Sequence, residues 1–198
     1  MVTVLPVLAA VLLALPAAPA AAATPAHVFP LACAHHVHYG HIHHDYPATD
    51  MFAPAGCRFD SPVDGVVDEV STMDRWTSRT NRGPDRGGRS VSIVGSDGVR
   101  YYGSHLSAVA AGITPGVHVH TGELLGKVGR SGDARGGPSQ LHFGISWPTE
   151  HGVWWVRRGE VYPWPYLDAW RAGRDKSPAK AVAAKHAKVG DRGCTADC

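Results

Sequence analysis

From residue 56 to residue 146 the apolar positions of the chain fall in short runs separated by turn residues. Gly56 to Val63 is one run, Asp64-Gly65 follows it, and Val66 to Val70 is the next. Asp-Gly between two apolar runs predicts a hairpin. Ser90-Val-Ser-Ile-Val94 alternates apolar and polar residue by residue and meets Val99-Arg-Tyr-Tyr102 across Ser96-Asp97-Gly98, which predicts a second hairpin. Between Gly112 and Gly129 a glycine or proline interrupts the chain every few residues, as tightly turned β structure requires. Leu141 to Ser146 is the last clear core strand, and helical spacing is almost absent. The pattern predicts a mainly β domain, an antiparallel β-sandwich or barrel-like fold, over about residues 27 to 170.

Four stretches fall outside that rhythm. Residues 1 to 23 are an apolar run followed by small residues, which reads as a signal peptide, although a positive leading segment is missing. Its apolar part is too short to span a bilayer, so secretion without stable membrane insertion is the expectation. Residues 71 to 89 are polar and rich in chain breakers, a long loop of the kind that lines binding grooves. Residues 147 to 170 carry five tryptophans with prolines between them and are expected to close over the sheet as a flap. From Arg171 to the end there are seven basic and three acidic residues, expected as a flexible basic tail.

Charge changes this picture little. With 19 basic and 17 acidic residues in 198, the chain does not have the balance of a dedicated nucleic-acid binder. The four cysteines suit a secreted protein. Cys33 and Cys57 bracket a histidine cluster, and a bridge between them would restrain it. Cys194 and Cys198 leave a local loop and an intermolecular crosslink equally open.

Histidine changes the picture most. Six lie between Ala34 and His44, and His43, His44 and Asp50 precede the apolar turn Phe52-Ala-Pro-Ala-Gly56. Catalytic zinc needs three nitrogen or oxygen ligands and one open position. His44 and Asp50, with His142 from the last core strand, would supply three, and His35, His36, His38 and His41 are read as solvated. His118-Val-His120 is a literal His-x-His, but a polar strand face is usually a solvated one. His-Glu-x-x-His and Gly-x-Ser-x-Gly are both absent, which removes the helical zincins and the commonest serine hydrolases. A zinc-scavenging protein stays possible on the histidine count alone.

In this order and spacing the pieces resemble a known family. They are His44 to Asp50 running into Phe-Ala-Pro-Ala-Gly, Asp64-Gly65-Val-Val, Tyr102-Gly-Ser-His105-Leu-Ser, Gly122-Glu-Leu-Leu-Gly-Lys-Val-Gly and Leu141-His142-Phe, over about residues 40 to 146. The chain resembles the secreted LytM/lysostaphin-type zinc metalloendopeptidases, which cut peptide crosslinks of bacterial peptidoglycan and have the duplicated-hybrid-motif β fold. The resemblance implies Zn2+ as cofactor, peptidoglycan peptides as partner, a cell-wall location and action as a monomer. It implies metal ligation by His44, Asp50 and His142, with His105 as one of two flanking histidines.

Two positions depart from the family. Five residues separate His44 from Asp50 where the family has three, so His43 is an alternative ligand. His44 is preferred because positions of equal parity share a face of an extended strand. Gln140 stands where the family has the first histidine of its His-x-His element. Its amide can donate a hydrogen bond but cannot carry a proton at neutral pH. A weakened or inactive, zinc-retaining wall-binding or hydrolase-activating module is therefore the alternative expectation.

Overall fold

The computed structural model describes Met1 and residues 27–193, so the expected signal peptide and Cys194 and Cys198 lie outside the described residues. Two antiparallel sheets carry the fold, as the alternation predicted. The larger sheet contains β1 (Thr49–Phe52), β3 (Gly65–Ser71), β4 (Ser90–Gly95), β5 (Arg100–Ser104), β7 (His118–Val119) and β9 (Gln140–Ser146), in the order β1-β9-β5-β4-β3-β7. The smaller contains β2 (Arg58–Asp60), β6 (Ala108–Val109) and β8 (Leu124–Lys127), in the order β2-β8-β6.

The core lies between the sheets, and β9 shows how the two-residue period builds it. Leu141, Phe143 and Ile145 are fully buried on the core side, which sends Gln140 and His142 to the opposite face. Phe59 of β2 enters the same core directly against β5. A Cβ at Gly103 would stand 2.4 Å from its ring, so only glycine permits this approach of the two sheets. The hairpin across Ser96-Asp97-Gly98 forms as predicted, with β4 and β5 paired and Gly98 at a φ of 75°.

Asp64-Gly65 does not form the predicted hairpin. β2 pairs with β8, whereas β3 pairs with β4 and β7, so the chain crosses here from one sheet to the other. Gly65 serves close packing instead: a Cβ on it would lie 2.5 Å from the Val94 carbonyl oxygen. The Asp64 carboxylate accepts hydrogen bonds from the Thr121 backbone N–H at 2.6 Å and hydroxyl at 2.9 Å. A capping carboxylate and a crowded glycine thus produced the sequence signature of a turn.

The carboxy-terminal part also departs from expectation. The Trp-rich segment does pack on the sheet, but as helices α1 (Trp154–Arg157) and α2 (Trp164–Arg171). The supposed flexible tail contains α3 (Ala179–Val189), and it is docked on the body of the protein. Val182 is buried, His186 stacks on Trp147 at 4.7 Å, and the Trp155 indole N–H donates to the Arg192 carbonyl at 2.8 Å. Its Ala/Lys composition is a helix-forming one, and a narrow apolar face suffices to hold it. No helix of the described residues is long and apolar enough to cross a membrane.

At the amino-terminal side, Cys33 and Cys57 form the disulfide that their bracketing suggested, with Cα atoms 5.9 Å apart. It closes a segment of chain containing His43, His44 and Asp50.

Candidate active site and metal centre

The ladder β1-β9-β5 fixes the centre of the site. Asp50 of β1 is directly opposite His142 of β9, and Ser104 of β5 is opposite His142 on its other side. Side chains opposite one another on neighbouring strands share a face, so Asp50 and His142 are held together by register. The Asp50 carboxylate is 2.9 Å from His142 Nδ1.

His43, not His44, completes the group. One donor atom from each of His43, Asp50 and His142 lies within 4.8 Å of the others. His43 is buried, with Nε2 3.6 Å from Asp50 Oδ2. The His44 side chain is 75% exposed, with Nε2 3.8 Å from the same oxygen. His44 would share a face with Asp50 only on a continuous strand, whereas β1 begins at Thr49 and residues 44 to 47 are bends around Pro47. The bend resets the alternation and turns the preceding histidine inward.

The outer nitrogens of both buried imidazoles are engaged by backbone. His43 Nδ1 is 3.1 Å from the Tyr46 carbonyl oxygen, and His142 Nε2 is 2.9 Å from that of Arg158. Each carbonyl accepts an N–H, which assigns the tautomer and leaves His43 Nε2 and His142 Nδ1 with lone pairs toward Asp50. A lone pair 2.9 Å from a carboxylate oxygen is a contact between two acceptors, and it calls for a shared cation, either a proton or a metal ion. The donor set, two imidazoles and a carboxylate with satisfied outer contacts, fits Zn2+.

Electrostatics keep His43 and Asp50 in their ligating forms. Burial, followed by the neighbouring His142, lowers the His43 pKa to about 4. Burial would raise Asp50, but a proton shared with His142, through its hydrogen bond and charge, outweighs burial and brings the Asp50 pKa down to about 2; a cation in the same place would act in the same direction. At neutral pH His43 is neutral and Asp50 ionised, as metal ligation requires.

His105 lies beside this group, with its ring 5.9 Å from that of His142. It is buried in a left-handed backbone conformation, φ 63°, of the kind that carries a conformational cost of about 1 kcal/mol or more. Its backbone is held by bonds to Gly87 and Ser131. Its Nδ1–H donates to the Ser131 carbonyl at 2.9 Å, which leaves Nε2 as an acceptor for a proton in the cleft. Burial, then His142, lowers its pKa.

Gln140 lines the same cleft, two residues before His142 on the same face of β9. The cleft has a volume of about 320 Å³. Tyr46, Tyr102, Trp154 and Arg158 also line it, and none of them was assigned to the site from sequence. The polar loop 71 to 89 does reach the cleft, through Gly83, Pro84, Arg86 and Gly87. His118, on the edge strand β7, and His120, just past its end, are both exposed and are not part of the His43–Asp50–His142 group.

Comparison with known proteins agrees with this geometry. Residues 44–153 match the profile of peptidase family M23. The chain is 30% identical over 130 residues to an L-Ala–D-Glu endopeptidase of Bacillus subtilis, an alignment covering 63% of this chain but only 35% of that relative. Among solved structures, the catalytic domain of lysostaphin from Staphylococcus simulans superposes with a TM-score of 0.54 at 19% identity, covering 72% of this chain and 98% of that one. LytM from Ruminococcus gnavus gives a TM-score of 0.57 at 24% identity, covering 77% and 63%. These two likenesses establish the fold.

Proposed function

We propose, from the premise that the chain belongs to peptidase family M23, that it is a secreted, monomeric zinc endopeptidase cutting crosslink peptides of bacterial peptidoglycan at the cell wall. The observation that carries this reading is the convergence of His43, Asp50 and His142 in a cleft also lined by His105 and Gln140. When bound, zinc would supply Lewis-acid polarisation of the scissile carbonyl and acidification of a water. The protein's part is to hold and move protons around that point. His105, anchored through Nδ1, offers Nε2 as the general base. Gln140 offers an amide N–H to the carbonyl oxygen as negative charge develops on it. The walls of the cleft position the peptide.

Purified peptidoglycan tests the proposal. The zinc-loaded protein should release peptide amines and a chelator should abolish the release. Absence of cleavage across several wall chemistries would contradict it.

Gln140 favours a second reading, a zinc-retaining module that binds wall or activates another hydrolase. Loss of a general acid or base costs typically about 10²- to 10⁴-fold in rate. Gln140→His separates the readings: cleavage appearing only in the variant supports the module, and appreciable cleavage by the wild type supports the peptidase.

A further inference from the structure

We propose that Arg86 determines specificity by accepting a carboxylate of the peptide substrate beside the bond presented to the His43–Asp50–His142 centre; this rests on the endopeptidase reading.

Three arginines line the cleft, Arg86, Arg157 and Arg158, and two of them have structural work. Arg157 is bonded to Glu69 and lies over the Tyr102 ring, and Arg158 is stacked on Tyr46 at 3.7 Å with its carbonyl on His142. Arg86 differs from both. Its Nε–H donates to the neutral amide oxygen of Asn81 at 3.2 Å, and among the described residues no carboxylate pairs with it. Its terminal nitrogens thus keep the fork that matches a carboxylate.

The position is built rather than incidental. The Arg86 carbonyl accepts the Asp133 backbone N–H at 3.0 Å, and its own N–H donates to the Gly83 carbonyl at 3.2 Å. A Cβ at Gly132 would fall on the Arg86 carbonyl, so the two turns meet backbone to backbone and require a glycine at that point. The next residue, Gly87, accepts the His105 backbone N–H at 2.9 Å. The arginine is therefore tied through one residue to the proposed general base. Asn81, at a φ of 41°, also accepts the Trp76 indole N–H at 3.1 Å, so the group that aims the guanidinium is itself fixed. A guanidinium so held loses little freedom on binding an anion.

The test uses the zinc-loaded full chain and two probes, L-alanyl-γ-D-glutamyl-L-lysine with its glutamyl α-carboxylate free or converted to the carboxamide. Binding is read by titration calorimetry and cleavage by amine release. The free-carboxylate peptide should bind about tenfold or more tightly, the scale of a charge-assisted hydrogen-bond pair. Arg86→Ala should remove that preference by weakening this peptide alone, and Arg86→Lys should keep part of it. Both variants leave the backbone contacts of residue 86 in place, and an unchanged thermal midpoint confirms their folding. Equal binding of the two peptides by the wild type, or no binding of either, overturns the assignment. So does a preference that survives Arg86→Ala, because the carboxylate would then sit on the metal. A preference lost in Arg86→Ala without cleavage of either peptide keeps the subsite and removes the endopeptidase reading; cleavage of both without preference does the reverse.

Discussion

The Cys33–Cys57 disulfide closes a loop with a sequence separation of 24 residues, and two members of the candidate metal group, His43 and Asp50, lie inside it. Replacing both cysteines by alanine opens the loop in the unfolded chain. The chain-entropy relation for a loop of this length gives about 3.4 kcal/mol of stability lost at 25 °C. A domain of this size shifts by about 2–4 °C per kcal/mol, so the thermal midpoint should fall by about 7–14 °C. Cys57 is in the core, and loss of its sulfur adds to the fall rather than offsetting it. The native site should change far less, because His43 is held by the Tyr46 carbonyl and Asp50 by the β1-β9 ladder. Scanning calorimetry of Cys33→Ala/Cys57→Ala and wild type, each with zinc titrations, checks both parts. A midpoint within about 2 °C of wild type would refute the entropic account. A collapse of zinc affinity in the folded variant would show instead that the bridge shapes the site directly.

Three further predictions come from close contacts and titrating groups. A Cβ at Gly144 would lie 2.3 Å from the Arg158 carbonyl that receives the His142 N–H, so Gly144→Ala should weaken zinc binding about 10- to 100-fold, and unchanged affinity in titration would contradict the role given to that carbonyl. Gly65→Ala should cost about 1–3 kcal/mol in denaturant unfolding, because the Val94 carbonyl of β4 must move; a neutral substitution would mean that β3 and β4 can part locally without loss. His27, stacked on Trp170, meets Asp97 at 3.1 Å and Asp175 at 2.7 Å. Burial pushes its pKa down, but the two carboxylates outweigh burial and raise it above 6.5. Stability from this group is therefore full below its unfolded value near 6.5 and is lost as pH rises through the higher folded value. Thermal midpoints from pH 5.5 to 9 should show that decline in wild type and a flatter profile in His27→Gln, and parallel profiles would contradict it.

The β fold was legible because Leu141, Phe143 and Ile145, like Val91 and Ile93, alternate with polar or small residues on the opposite face of the sheet, and that period survives although the opposite face is itself largely covered. Asp64-Gly65 misled because the same dipeptide serves a tight turn and, here, a crossing between sheets. The helix over residues 179–189 was missed because its Ala/Lys sequence shows little apolar periodicity, and its docking depends on Trp147 and Trp155 being presented by distant parts of the fold.

At the site, the resemblance placed Asp50 and His142 together and parity put Gln140 on the face of His142, and the three line one cleft. The choice between His43 and His44 could not be read in this way, since Pro47 stands where the alternation had to be counted. The Arg158 carbonyl was beyond reach for a different reason: a backbone acceptor has no residue type to recognise. Arg86 was visible only as part of a polar loop, because its importance comes from the Gly132 turn that pins it.

Zinc titration of wild type, His43→Ala and His44→Ala, read by calorimetry with metal analysis of the dialysed proteins, decides whether His43, Asp50 and His142 hold the ion. One tightly held ion per wild-type chain, loss of that ion in His43→Ala, and near-wild-type affinity in His44→Ala are expected. Retention of the ion in His43→Ala with its loss in His44→Ala, or several equivalent ions bound per chain, would contradict that ligand set.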